Sequence, residues 1–133
     1  MNINNKLFST ALEACNKAYA PYSDFKVGAA IYADNLQIYS GCNVENISFP
    51  CGTCAEAGAI AAMINGGAKK IIEILIIADS HTLIKPCGAC LQRIAEFSTP
   101  ETLIHLANLK GIQKTLSLKQ LLPENFSAEE LTK

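Results

Sequence analysis

Two pairs of cysteines carry the side chains best suited to chemistry in this chain. Residues 51–56 read CGTCAE, and residues 86–90 read PCGAC. Both segments precede or open a predicted helix, where free amide groups and the positive end of the helix dipole favour a thiolate over a thiol. Because thiolate is the form that binds zinc, two such helices meeting at their first turns would gather ligands around one metal ion.

The spacing of these residues favours a catalytic zinc site. If three cysteines bind the metal, a fourth position stays open for water, whereas four protein ligands would close the site. Zinc lowers the pKa of a bound water to about 7. Glu56 follows Cys54 by two residues, so it can lie beside the metal without binding it. A carboxylate in that place can take a proton from the water and deliver it to a leaving group.

Two other interpretations of the cysteines remain open from the residues alone. A CxxC motif that opens a helix is also typical of thioredoxin-like redox proteins, but a second motif and Glu56 would then have no role. A structural zinc site with four cysteines would include Cys51, although the gap between the pairs exceeds the usual structural spacing. His81 and His105 are the other candidate ligands, and we interpret both as surface or structural residues.

Helical patterns surround both cysteine segments. Apolar residues at helical spacing predict a helix over residues 3–19, which Pro21 stops. Residues 54–65 are rich in Ala and Ile and predict a buried helix that ends at a glycine pair. Residues 88–97 predict a third helix, opened by Pro86. The cysteine segments are therefore expected at the beginnings of the second and third helices.

The remaining patterns predict strands. Residues 25–32 alternate between apolar and polar or small side chains, and a turn at Asp34 and Asn35 allows a return strand. Residues 71–78 are nearly all apolar, which is typical of a central strand covered on both faces. The other predicted strands are residues 36–42, 102–107 and 113–118, followed by a short helical turn. This order predicts an α/β sandwich around a mixed sheet, in one domain over residues 1–133.

Composition excludes several classes of function. The chain has 133 residues, of which 50% are hydrophobic, and a net charge of −1. It therefore lacks the basic face that binding to nucleic acid requires, and no apolar run is long enough to span a membrane. The first ten residues do not have the pattern of a signal peptide, so we expect a cytoplasmic protein with reduced thiols.

Four segments together resemble the small, homotetrameric cytidine deaminases. Residues 20–30 (APYSDFKVGAA) are similar to the entry into that family's first strand, and residues 41–46 (GCNVEN) to its ribose-binding strand. Residues 54–56 and 86–90 match its zinc segments, and residues 121–126 resemble its C-terminal end. The resemblance implies a three-layer α/β/α sandwich around a mixed five-stranded sheet. It also implies hydrolytic deamination of cytidine and deoxycytidine to uridine and deoxyuridine, with release of ammonia, in pyrimidine salvage.

The same resemblance assigns the catalytic residues. It implies that Cys54, Cys87 and Cys90 hold one Zn²⁺ per subunit and that Glu56 carries the proton. The backbone at Ala55 would contact the base of a nucleoside substrate.

It assigns the substrate contacts as well. Phe25 would stack on the pyrimidine, and Asn43 and Glu45 would hydrogen-bond the ribose. Phe49 and Phe126 match positions at which neighbouring subunits close the pocket, which implies a homotetramer with shared active sites. Alone, Phe25 would be read as a core residue, Asn43 as a turn residue and Glu45 as a solvated charge.

One position departs from the family pattern. Many relatives carry Arg after Cys-Ala-Glu, where it hydrogen-bonds the zinc thiolates, and this chain has Ala57. Three thiolates and Zn²⁺ sum to a charge of −1, so a nearby cation has a physical purpose. The amides at the two helix N-termini are the first candidates to balance this charge, and Lys85 or Arg93 could also approach.

Related deaminases define the alternatives for the substrate. Enzymes acting on nucleoside antibiotics such as blasticidin share the zinc segments, but residues 43–46 (NVEN) favour an ordinary ribose or deoxyribose. Editors of RNA or DNA need a channel for a charged strand, which this chain lacks. A zinc-binding module without enzymatic activity is the alternative from another class.

Overall fold

Five strands form one mixed sheet in the computed structural model, which describes residues 2–131. The strands are β1 (Val27–Ala33), β2 (Ile38–Cys42), β3 (Ile71–Ala78), β4 (Leu103–Asn108) and β5 (Gly111–Ser117). They follow the order β2-β1-β3-β4-β5, in which β3 and β4 are parallel and the other neighbouring pairs are antiparallel. The predicted five-stranded mixed sheet is confirmed, while residues 1, 132 and 133 of the predicted domain lie outside the described residues.

Helices cover both faces of this sheet. They are α1 (Ile3–Asn16), α2 (Ala55–Asn65), α3 (Gly88–Glu96) and α4 (Leu118–Leu121), with 3₁₀ turns at Phe49–Cys51 and Ala128–Leu131. α1 packs on one face, in a core that includes Leu75 and Ile77 of β3. α2 and α3 pack on the opposite face, in a core that includes Ile74 and Ile76. Since β3 serves two cores, nearly every residue in it must be apolar, and the predicted three-layer sandwich is confirmed.

Helix α1 ends earlier than its pattern predicts. The predicted helix over residues 3–19 stops at Asn16 because the backbone of Tyr19 pairs elsewhere. The amide of Tyr19 donates to Asn43 O at 3.0 Å, and its carbonyl accepts from Glu45 N at 2.8 Å. Local periodicity carries no information about this bridge, which ties the end of α1 to the segment after β2.

The other predicted boundaries differ from the observed ones by no more than two residues. β2 begins at Ile38 instead of residue 36 because Leu36 lies in the turn with a φ of 65°.

Between residues 2 and 131, no helix is both long enough and apolar enough to cross a membrane.

Close backbone contact fixes the position of α2 above the sheet. Gly41 of β2 faces the main chain of α2 so closely that a Cβ atom there would lie 2.3 Å from Ala59 N. Only a residue without a side chain allows this approach. The first turn of α2, which carries Glu56, is thereby held at a defined height over the strands.

Candidate active site and metal centre

Helices α2 and α3 bring the two cysteine segments together at their N-termini. Cys54 is the N-cap residue of α2, and Cys87 is the N-cap residue of α3. Neither side chain forms a capping hydrogen bond, so both thiols are available for other partners. The residue before Cys54 is anchored, because Thr53 and Val44 exchange backbone hydrogen bonds of 2.9 and 3.0 Å. The converging helix beginnings predicted from the sequence are thus present in the fold.

The sulfur atoms of Cys54 and Cys90 are in direct contact. They lie 2.7 Å apart and share a hydrogen bond. This contact lowers the pKa of Cys54 to about 6 and raises the pKa of Cys90. The nearby amide of Ala57, in the first turn of α2, also lowers the pKa of Cys54. A thiolate is therefore already favoured where a metal would bind.

Glu56 is the buried acid of the site. Its residue is only 5% exposed, and burial raises the pKa of its carboxyl group. The ligand atoms of Cys54, Glu56 and Cys90 all lie within 4.8 Å of one another. A carboxyl group that keeps its proton more readily than usual, beside a candidate metal site, is suited to general acid and base catalysis.

Cys87 and Cys51 occupy different surroundings. Cys87 is exposed and lines the same cavity as Cys54, Glu56 and Cys90, but its thiol is outside the 4.8 Å group. Cys51 is also exposed, and its thiol contacts Ser48 Oγ at 3.5 Å. Among the described residues, the cavity is therefore lined by three cysteines, without Cys51.

This donor set suits zinc. Thiolates are soft ligands that select zinc over hard cations such as Mg²⁺ and Ca²⁺. The depressed pKa of Cys54 and the open cavity in front of the sulfurs fit a site with a free position for water.

The cavity in front of the thiols has a volume of about 220 Å³. It is lined by Val27, Asn43, Cys54, Ala55, Glu56, Ile76, Ile84, Cys87 and Cys90. Apolar walls and one acid at the end are suited to a flat, mostly uncharged group. The volume is smaller than that of typical ligand pockets, so a substrate larger than a heterocycle would extend beyond it.

Asn43 is held rigidly at the rim of this cavity. Its side-chain oxygen accepts from Val27 N at 2.9 Å, and its side-chain nitrogen donates to Phe25 O at 2.8 Å. These bonds fix the amide across the beginning of β1 and also fix the backbone of Phe25. One donor hydrogen and one acceptor position of the amide stay available for a ligand.

Glu45 lies in a neighbouring surface depression of about 360 Å³, together with Tyr22, Ser23, Asn46 and Phe49. Its carboxylate accepts hydrogen bonds from the amides of Tyr22 and Ser23 at 2.9 and 3.1 Å, and from the Ser23 hydroxyl. The bond from the Ser23 hydroxyl, followed by those from the two amides, lowers the pKa of Glu45. These contacts hold the loop before β1 in place. They could not be predicted from the sequence pattern.

None of the three phenylalanines predicted to contact the substrate lines the cavity in front of the thiols. Phe25 is half-buried, whereas Phe49 is 76% exposed and Phe126 is 58% exposed. The carbonyl oxygen of Phe126 accepts from Gln92 Nε2 at 2.7 Å, which fastens the C-terminal segment to α3. Within one subunit, Phe49 borders the depression that contains Glu45. The side chain of Phe126 is exposed to solvent.

Arg93 is the cation beside the thiols. Its Nη1 atom lies 3.8 Å from Cys54 Sγ and 3.7 Å from Cys90 Sγ. The other candidate, Lys85, instead donates to Leu83 O at 3.3 Å. From the sequence alone, Arg93 is only one of the candidate cations, because its position depends on how α3 packs beside α2.

Neither histidine belongs to the cluster of Cys54, Glu56 and Cys90. His105 is buried, with Nε2 2.6 Å from Glu73 Oε1 and Nδ1 2.8 Å from Thr115 Oγ1. Both ring nitrogens are therefore used within the sheet. His81 is exposed, and neither histidine belongs to the metal-ligand group among residues 2–131.

Comparison with known proteins agrees with this geometry. A family model described as the cytidine and deoxycytidylate deaminase zinc-binding region matches residues 1–106. The chain belongs to this family. The matched residues include Cys54, Glu56, Cys87 and Cys90, and the thiols and acid at the cavity fit a metal, so the cofactor is zinc.

Individual relatives match along nearly the whole chain. A cytidine deaminase of Sporosarcina psychrophila is 39% identical over 127 residues, covering 96% of this chain and 93% of the relative. The crystal structure of cytidine deaminase from Burkholderia pseudomallei matches with a TM-score of 0.87 and 38% identity, covering 95% of this chain and 100% of that one. The cytidine deaminase structure from Mycobacterium tuberculosis matches with a TM-score of 0.80 and 32% identity, with 96% and 99% coverage.

Proposed function

We propose that this protein catalyses the hydrolytic deamination of cytidine and deoxycytidine to uridine and deoxyuridine, with release of ammonia, in pyrimidine salvage. The observation that carries this proposal is the buried Glu56 beside two thiols in the zinc-binding region of a deaminase family. Relatives named as cytidine deaminases, one of them 39% identical to this chain, support the choice of cytidine.

The metal ligands in this proposal are Cys54, Cys87 and Cys90, which hold one zinc ion per subunit. When bound, zinc supplies the Lewis acidity that makes water nucleophilic at neutral pH. Glu56 takes a proton from the attacking water as the oxygen bonds to C4 of the base. It delivers that proton to N3, so that the C4=N3 double bond becomes single, and then carries the remaining hydroxyl proton to the amino nitrogen, so that the C4–N bond breaks, a C4 carbonyl forms and ammonia leaves.

The base lies in the thiol cavity and the sugar points outward. The backbone at Ala55 contacts the base, and Phe25 stacks on its face. Asn43 and Glu45 hydrogen-bond the ribose through the capacity left by their internal contacts. Support comes from the small volume of the cavity and from the segment that carries Asn43 at its rim and Glu45 in the neighbouring depression.

The charges that line the cavity in front of the thiols and the depression of Glu45 favour a nucleoside over a nucleotide as substrate. Among their described lining residues, Glu45 and Glu56 are acidic and none is Lys or Arg. A phosphate on the sugar would therefore meet negative charge without a compensating cation.

A panel of substrates tests the proposal through the loss of cytosine absorbance. Cytidine and deoxycytidine should be consumed, whereas cytidine 5′-monophosphate and blasticidin S should react far more slowly. Faster turnover of the nucleotide or of the antibiotic would contradict the assignment of a free nucleoside.

The active assembly in this proposal is a homotetramer in which subunits share their sites. The exposure of Phe49 and Phe126 supports this, because large uncovered aromatic rings are typical of interfaces. Light scattering should give four times the chain mass of 14.3 kDa. An active monomer would contradict the assembly.

Mixed assemblies test whether sites are shared. Subunits with Glu56→Gln and subunits with Phe126→Ala should each have low activity alone. Co-refolding them should restore activity, because some sites would combine an intact Glu56 with an intact Phe126 from a neighbour. Activity no greater than the sum of the separate variants would contradict sharing.

The cellular location in this proposal is the cytoplasm, and the chain forms one domain over residues 1–133. All six cysteines are free thiols, which suits a reducing compartment. One sheet that continues from β2 to β5 supports a single domain.

A further inference from the structure

The metal site needs a positive charge that the first turn of α2 does not supply. This inference rests on the proposed function, in which three thiolates bind one zinc ion and leave a net charge of −1. The helix amides provide part of the balance, since Cys54 is the N-cap residue of α2 and lies at the positive end of the helix dipole. The side chain of Ala57 ends at a methyl group and adds no charge.

A guanidinium group reaches the same sulfurs from the facing helix. Arg93 follows Cys90 by three residues on α3, which places both on one side of the helix. Its Nη1 atom contacts the sulfur of Cys54 at 3.8 Å and the sulfur of Cys90 at 3.7 Å. One group thus joins a thiol of α2 to a thiol of α3.

The charge of Arg93 suits these contacts. A guanidinium stays positively charged at any physiological pH, so it can stabilise a neighbouring thiolate throughout that range.

We propose that Arg93 is a positioning residue that holds the Cys54 and Cys90 sulfurs and withdraws charge from them, in place of a cation at residue 57. Hydrogen bonds to a thiolate reduce the electron density that it donates to a metal, and the metal remains a stronger Lewis acid. Since guanidinium can bridge two acceptors, Lys at residue 93 would replace it only in part.

Cobalt substitution reports on sulfur donation without using catalysis. Cobalt(II) in a thiolate site gives a sulfur-to-metal charge-transfer band whose energy falls when hydrogen bonds to sulfur are lost. Arg93→Gln should shift this band to longer wavelength while the protein still binds one cobalt ion per subunit. Lys114→Gln removes a positive charge from the exposed surface of β5 and is the matched control, which should leave the band unchanged.

A second guanidinium, placed near the sulfurs from α2, distinguishes the loss of positive charge at the sulfurs from general structural damage. The double variant Ala57→Arg, Arg93→Gln provides a guanidinium from α2 and should move the band back toward that of the unmodified protein. With zinc, Arg93→Gln should lower kcat for cytidine about tenfold, the lower end of typical effects for groups that support metal ligands. The band energy and kcat of Arg93→Lys should lie between those of Arg93→Gln and those of the unmodified protein.

The outcomes distinguish this inference from the function on which it rests. A band that is unchanged in folded, cobalt-loaded Arg93→Gln would overturn the role of Arg93, even if the unmodified protein deaminates cytidine. Failure of the unmodified protein to deaminate cytidine would overturn the proposed function, and the band shift would still decide the role of Arg93. Failure of cobalt to produce a thiolate band in the unmodified protein would overturn both.

Discussion

The contact between Gly41 and α2 predicts that one added methyl group will disturb both stability and activity. In Gly41→Ala the new Cβ atom would lie 2.3 Å from Ala59 N and 2.7 Å from Ala55 O. Both are main-chain atoms of a helix, which cannot rotate aside as a side chain can. Because ordinary contact begins near 3.4 Å, α2 must move away from β2 by about 1 Å.

The size of the effect follows from that displacement. Overpacking of this kind costs about 1–3 kcal/mol of the free energy of unfolding. With an unfolding entropy of about 2.1 cal/mol/K per residue, this corresponds to a decrease in Tm of about 4–11 °C for 133 residues. The same movement carries Cys54 and Glu56, and a displacement of about 1 Å at a catalytic group can reduce kcat/KM by up to about 10²-fold.

The matched control is on the other side of the same contact. In Gly58→Ala the new Cβ atom would lie 3.5 Å from Gly41 Cα, an ordinary distance. Alanine is favoured over glycine inside a helix, so this variant should keep its activity and gain about 0.5–1 kcal/mol. Thermal unfolding and steady-state kinetics on both variants provide the comparison. If Gly41→Ala were as stable and active as the unmodified protein, the close contact would not determine where α2 lies.

The other predictions concern the acid and the cysteines. Glu56→Gln should keep the fold and the zinc but reduce kcat by about 10²–10⁴-fold, because an amide cannot carry a proton; near-normal turnover would be incompatible with the assigned role. Cys51→Ser should retain one zinc ion per subunit and its activity, since Cys51 lies outside the cavity lining. Cys54→Ser should lose zinc. If Cys51→Ser lost zinc to the same extent, the result would indicate a four-cysteine site instead.

Local patterns were sufficient to predict the elements that carry the site. The predicted strand over residues 71–78 coincides with β3, because a strand buried on both faces must be apolar throughout. The predicted helix over residues 54–65 differs from α2 only at Cys54, which is its N-cap. Cap residues and apolar runs are local features, so they can be recognised without knowledge of the fold.

Contacts between distant segments could not be predicted in this way. Helical spacing continues to residue 19, but the bond of Tyr19 with Asn43 ends α1 at Asn16. The double hydrogen bond of Asn43 to the beginning of β1 depends on the pairing of β1 and β2. The approach of Arg93 to two sulfurs depends on how α3 lies beside α2, which residue spacing does not encode.

Chelation and reconstitution with cytidine as substrate test the central claim most directly. The purified protein should contain one zinc ion per subunit and convert cytidine to uridine and ammonia in equal amounts. A chelator that removes the metal should abolish the reaction, and added Zn²⁺ should restore it in proportion to the metal bound. A folded protein that holds one zinc ion per subunit and yet releases no ammonia from cytidine or deoxycytidine would contradict the account.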